Sequence, residues 1–289
     1  MARNIQKEIT DRILAELDKG VIPWRKPWHE YGSGNMPRNA ISRNAYKGSN
    51  VPLLWITQQQ AGYSDCQWLT FKQAQERGGT VRKGEKGTQV TFWKIGTAKD
   101  ESGEERKTFL LRAYHVFNLE QCDGVDLPSH KPLPVNPGER DALAEEFMRS
   151  TSANIRHGEN RAYYATNGDF INLPKFENFK GSSEYYATAF HEMTHWTGAD
   201  HRLKRVFGKR FGDSTYAAEE LVAELGSAFL CAEFGFDNDT LENHAAYLAS
   251  WRKTISENDH LFCKAASEAS KAVDYLRSLA IAEPMPLAA

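Results

Sequence analysis

The chain has 289 residues, 40% of them hydrophobic and 26% charged, with a formal net charge of −2; that fits about two domains at roughly 150 residues each and excludes a wholly disordered or collagen-like chain. No apolar run approaches the ~20 residues of a membrane helix, and the opening MARNIQKEITDRILAELDKG is amphipathic rather than signal-like, so a cytoplasmic protein with no membrane association is expected. Cys66, Cys122, Cys231 and Cys263 form no C-x-x-C pair, which argues for buried thiols rather than disulfides or a cysteine zinc site.

In chain order, an amphipathic helix is predicted over residues 4 to 18, followed by a Pro/Gly/Asn-rich stretch and a helix after Thr70. Alternation around Val90, Phe92 and Lys94, repeated in LLRAYHVFNL, predicts two strands joined by the polar loop KDESGEERK. Four prolines between Asp123 and Arg140 mark a linker. The division is therefore a domain over 1–125, a linker over 126–138 and a second domain over 139–289.

The second domain opens with a helix near 138–152 and a hairpin in RAYYATNGDFINLP, with Asn167-Gly168 as a two-residue turn. Helices then follow over Ser183 to Trp196, Thr215 to Phe234, Thr240 to Ser256 and Asp259 to Ala280. Gly198 and Gly235 stand where left-handed caps are wanted, Asp239 with Glu242 resembles a capping box, and the tail EPMPLAA is expected to fray. The fold class is α+β: a small α+β domain, then a mainly helical one with a short antiparallel sheet.

Charge is unevenly spread. Residues 1–130 carry 19 Lys/Arg against 15 Asp/Glu, whereas the remainder carries 17 against 23. Within the first part, residues 19–94 hold 12 basic and 4 acidic side chains, a balance that suits a polyanionic partner.

The sharpest motif is His191-Glu192-Met193-Thr194-His195. On a helix, positions i and i+4 share a face, so both imidazoles can grip one ion while Glu192 borders the same cavity as a general base. A catalytic zinc takes three protein ligands and leaves one position for water. Glu220, on the next helix, is the preferred third ligand. Glu224 lies one turn further along, and Glu220-Leu221-Val222-Ala223-Glu224 resembles the gluzincin E-x-x-A-D helix, in which the second acid hydrogen-bonds a ligand histidine. His201 is the other alternative, because with Gly198 it completes a metzincin-like spacing without the methionine turn of that class. Gly226 is expected to allow close helix contact. Zinc is the expected cofactor, with manganese tolerated by the same donors, and the chemistry is metal-assisted hydrolysis of a peptide bond.

Trp24, Trp28, Trp55, Trp68 and Trp93 are interleaved with the basic set. Rings with cations suit single-stranded nucleic acid, although packing is expected to claim about three of the five. Trp24 and Trp28, with Arg25 and Lys26, form one candidate DNA-binding loop. The turn holding Arg82, Lys83 and Lys86 forms another.

Several longer stretches carry a resemblance. They are VIPWRKPW, YKGSNVPLLW, WLTFKQAQERGGTVRKGEKGTQVTFWK and VFNLEQCDG, then DFINLP, HEMTHWTG with RLKR after it, and EELVAELGSAFL. Together they resemble the ArdC-type antirestriction proteins of conjugative plasmids, a family similar also to the N-terminal part of plasmid-borne primases. The resemblance implies a single-stranded DNA-binding domain fused to a zincin-like metallopeptidase domain, shielding incoming DNA from host restriction. It leaves His201 outside the shared motif and does not settle what the metal domain acts on; a host protein or restriction enzyme is the partner expected here. Two other readings stay open: a non-enzymatic DNA-binding blocker with a structural metal site, and a cytoplasmic zinc peptidase with no role at DNA.

Overall fold

The structure, a computed structural model, describes residues 4–25, 36–99, 104–127, 140–208, 214–238 and 244–280. Lys26, Trp28, the Asp239/Glu242 capping box, most of the linker and the tail lie outside the described residues. Contacts divide the chain into two units, one of residues 1–36, 47–49 and 129–289, the other of residues 37–46 and 50–128. By contacts, the N-terminal helix groups with the later part of the chain, where a first domain over 1–125 is expected from sequence.

In the larger unit, helix α1 (Ile5–Leu17) is capped by Asn4, whose side chain accepts from the Lys7 amide. Its stripe Ile9, Ile13 and Leu17, spaced four apart, is buried.

The smaller unit holds strand β1 (Arg38–Asn39), helix α2 (Asn50–Ala61), strand β2 (Gln67–Leu69), helix α3 (Phe71–Glu76), strands β3 (Thr80–Val81), β4 (Thr88–Lys99) and β5 (Glu105–Asn118), and β6 (Cys122–Asp123). A capping box between Thr70 and Gln73 starts α3, as the residues after Thr70 suggested. The main sheet runs β1-β2-β5-β4, with β1 and β2 parallel and the other pairs antiparallel, while β3 and β6 pair separately. Edge strand β4 is pinned where Asn50 accepts from the Thr91 amide at 2.7 Å and donates to the Thr91 carbonyl at 2.8 Å. Trp55, Trp68, Leu54, Val90 and Val116 are buried in this unit.

The larger unit continues with α4 (Ala142–Ser150), strands β7 (Ile155–Arg156), β8 (Tyr163–Ala165) and β9 (Phe170–Asn172), and helices α5 (Ser182–Thr197), α6 (Ser214–Phe234), α7 (His244–Ser256) and α8 (Leu261–Ala280). Its sheet has the order β7-β9-β8 and is mixed, since β7 runs parallel to β9; the expectation of a purely antiparallel sheet is corrected. The β8/β9 loop spans residues 166–169 rather than two residues, because positive φ falls at Gly168 and Asp169. From Leu221 to Ala232, α6 buries apolar side chains around its circumference, as a central helix must, and it packs against α5, α7 and α8.

Two glycines set the helix approach. A Cβ on Gly226 would stand 2.5 Å from Thr194 Oγ1, so α6 crosses α5 where only glycine fits. Gly198 has φ −77°, not the expected left-handed conformation; a Cβ there would meet Phe207 at 2.7 Å and the Arg205 guanidinium at 2.9 Å. Gly235 does take positive φ. Cys66 and Cys231 are buried, Cys122 and Cys263 partly so. Among the described residues no helix is long and apolar enough to cross a membrane.

Candidate functional site

Helices α5 and α6 bring His191, His195 and Glu220 together. One ligand atom from each lies within 4.8 Å of the others. The two Nε2 atoms are 3.2 Å apart, His195 Nε2 is 3.5 Å from one Glu220 oxygen, and His191 Nε2 is 3.6 Å from the other. Bonds of about 2.0–2.2 Å in a tetrahedron separate ligand atoms by roughly 3.3–3.6 Å, so this trio is spaced close to what one divalent ion requires. Two imidazoles and a carboxylate are also the donor chemistry that zinc and manganese accept.

Each histidine backs onto a second acid. Glu219 meets His195 Nδ1 at 3.1 Å, and Arg205 locks that carboxylate from Nε at 3.0 Å and Nη2 at 2.9 Å while also donating to Thr197 Oγ1 and the Thr194 carbonyl. Glu224 faces His191 Nδ1 at 3.8 Å, too far for a hydrogen bond, and that nitrogen is buried without a partner. Glu224 is held by Arg25, whose Nη2 lies 3.1 Å from both of its oxygens. A hydrogen-bonded support such as the one Glu219 gives His195 fixes ring orientation and raises ligand basicity, whereas Glu224 offers His191 only a nearby charge.

Burial alone would lower both histidine pKa values. At His195 the hydrogen bonds to Glu219 and Glu220 outweigh it and raise the pKa to about 10, and at His191 Glu220 gives a net rise as well. Glu220 is buried too, yet the two rings hold its carboxyl well below the ordinary range. Glu192 is buried beside the trio, close enough for its charge to act on both rings.

Other predicted residues fall elsewhere. His201 turns its Nε2 to Asp169 at 3.3 Å and to Arg202 at 2.6 Å, and it does not join the ligand trio. The loop after α5 ties it instead into the cluster of Asp169, Arg202 and Tyr164. Glu224 is engaged by Arg25 and placed behind His191, outside the trio. Trp24 is 1% exposed and packs on Trp251 and Phe262, both at 5.6 Å, so it is a core residue and not a stacking surface. Arg25 is likewise buried, paired with Glu224 rather than turned to solvent.

Arg82 pairs with Glu85 and Asp123 and donates to the Glu120 carbonyl. Lys83 and Lys86 on the same turn are exposed. Sequence reasoning missed Glu219, Arg205 and the structural use of Arg25. Only the first had a signal, an acid directly beside Glu220 in a helix of buried apolar residues.

Two histidines one turn apart, an intervening glutamate and a carboxylate from the next helix form a zincin-like cluster in a two-unit α+β protein. Residues 142–268 match the family model described as zincin-like metallopeptidase, and residues 3–117 match the N-terminal domain of anti-restriction factor ArdC. An uncharacterized protein y4eC of Sinorhizobium fredii is 36% identical over 95% of this chain and 92% of its own length. The metal-free crystal structure of antirestriction ArdC protein from plasmid R388 superposes with a TM-score of 0.83 at 40% identity, covering 98% of this chain and all of that one. Its Mn(II)-bound form gives 0.80. The chain belongs to the ArdC antirestriction family. It is also 36% identical to an Escherichia coli DNA primase TraC, of which it spans only 27%.

Proposed function

We propose that this ArdC-family chain holds single-stranded DNA and carries a divalent-metal peptidase-type centre that acts on a host protein, a restriction enzyme being the natural candidate, so that incoming DNA escapes restriction. The observation that carries the peptidase reading is the clustering of His191, His195 and Glu220 within 4.8 Å, with Glu192 beside them. His191 and His195 through Nε2, with a Glu220 oxygen, would hold the ion, zinc first and manganese as the alternative. The R388 relative, described as Mn(II)-bound, supports the latter. When bound, such an ion supplies Lewis-acid polarisation of a carbonyl and acidifies water.

The chain's own residues do the rest. Glu192 takes a proton on its carboxylate from the attacking water and returns it to the leaving amine nitrogen. Glu219 and Arg205 hold His195 in one orientation. Strand β8 lies at the edge of its sheet, where an extended peptide adds by main-chain hydrogen bonds.

The DNA reading draws on the ArdC N-terminal family match and on the exposed Lys83 and Lys86. Four free cysteines fit a cytoplasmic setting. Glu192→Gln is the test: the variant keeps its metal by elemental analysis, loses cleavage of host proteins in a proteomic comparison with the parent, and no longer protects transferred DNA. A variant that still protects assigns the protection to occupancy of DNA rather than to hydrolysis.

A further inference from the structure

The sheet of the smaller unit continues past its own core. Cross-strand partners in the β4/β5 hairpin project from one face, and that face starts in the core at Val90 and Val116. Further along, the same face carries Phe92 opposite Arg112 and Lys94 opposite Leu110, with Tyr114 opposite Val90. Here the side chains emerge into solvent: Phe92 is 48%, Tyr114 43% and Leu110 54% exposed. A contiguous apolar face left open marks a binding surface.

Its charge selects the occupant. Lys94 and Arg112 flank the rings, and neither strand places an acidic residue on this face. Phe92 and Tyr114 meet edge to face with centroids 5.9 Å apart, and the buried Tyr46 backs Phe92 at 6.3 Å, so the rings are set in place yet remain accessible. Aromatic faces take unpaired bases of any sequence, whereas a duplex hides them.

The geometry points to this face as a platform for single-stranded nucleic acid, with bases stacked on Phe92 and Tyr114 and phosphates followed by Lys94 and Arg112. It rests on the single-stranded DNA reading above and moves the contact away from the loop that holds Trp24. Trp93, exposed on the opposite face, is the internal control.

Fluorescence anisotropy of the full chain with labelled oligothymidylate and with duplex DNA tests this. The parent should prefer the single strand. Phe92→Ala/Tyr114→Ala should weaken binding about tenfold per ring, with Trp93→Ala near parental. Lys94→Gln/Arg112→Gln, which replaces two exposed side chains, should flatten the salt dependence by roughly 1.4 in log–log slope, about 0.7 for each lost phosphate contact.

Parental affinity and slope in both double variants, with the parent still binding, overturn the platform but leave the DNA reading intact. Absence of parental binding removes the DNA reading itself. Concentration-dependent dimerisation that the double ring variant abolishes, at unchanged DNA affinity, assigns the face to self-association and overturns the proposal.

Discussion

Arg25 and Glu224, 199 residues apart in sequence, form a buried ion pair directly behind the His191 ring. Guanidinium and carboxylate are both withdrawn from water, so the pair matters less as a source of stability than as a constraint on where the carboxylate sits. Glu224 is thereby held 3.8 Å from His191 Nδ1 and outside the cluster of His191, His195 and Glu220.

Removing one partner should be costly and removing both should not. Arg25→Met strands a buried charge and should destabilise the fold by about 3–5 kcal/mol in urea titrations. Arg25→Met/Glu224→Met should recover most of that loss yet bind metal roughly 10- to 100-fold more weakly, because the support of His191 is gone. Parental metal affinity in the double variant would remove Glu224 from any role at His191.

Glu220 and Glu224 should separate as ligand and support. Glu220→Gln should abolish stoichiometric metal in the purified protein, whereas Glu224→Gln should retain the ion at about 10- to 100-fold lower affinity. The reverse order, read by competition with a chromogenic chelator, would exchange their roles.

The metal-free protein should lose stability as pH rises. The folded His195 pKa of about 10 lies above the ordinary 6.5, so its contribution is complete below pH 6.5 and is lost progressively as pH climbs toward 10. Metal requires the unprotonated ring, so binding should release protons and strengthen over the same range. Differential scanning fluorimetry with a chelator should show Tm falling between pH 6.5 and 10, with the fall reduced by zinc. A Tm that is flat or rising in the chelated protein contradicts this charge arrangement.

Gly226 should be nearly irreplaceable. Gly226→Ala places a methyl group against Thr194, which should cost about 1–3 kcal/mol and weaken metal binding by pushing the helix of Glu220 away from that of the histidines. Thr194→Ala/Gly226→Ala should restore part of both. An unchanged Tm in the single variant would mean that the helices separate freely.

The metal motif was legible because helical geometry alone places i and i+4 on one face, and Glu220 was preferred on the likeness of its helix to the gluzincin E-x-x-A-D pattern; the structure clusters it with the two histidines. Trp24 stands in a stretch that is polar on average, PWRKPWHEYG, yet it is buried against Trp251 and Phe262, more than 220 positions away and beyond the reach of local pattern. Arg25 was read as a DNA contact because sequence cannot tell a cation that meets solvent from one that meets Glu224. The placement of α1 with the larger unit, and the short strands β1, β3, β6 and β7, rest on pairings between distant segments with no local periodicity to announce them. His201 fitted a spacing rule but lost to Asp169, a competitor fixed by the conformation of the β8/β9 loop.

Anomalous diffraction from crystals of the full chain soaked in Mn(II) or Zn(II) addresses the metal centre most directly. A single strong peak about 2.0–2.2 Å from His191 Nε2, His195 Nε2 and a Glu220 oxygen is the expected result. No peak there, or a peak bound through Glu224 or His201 in place of Glu220, would contradict it.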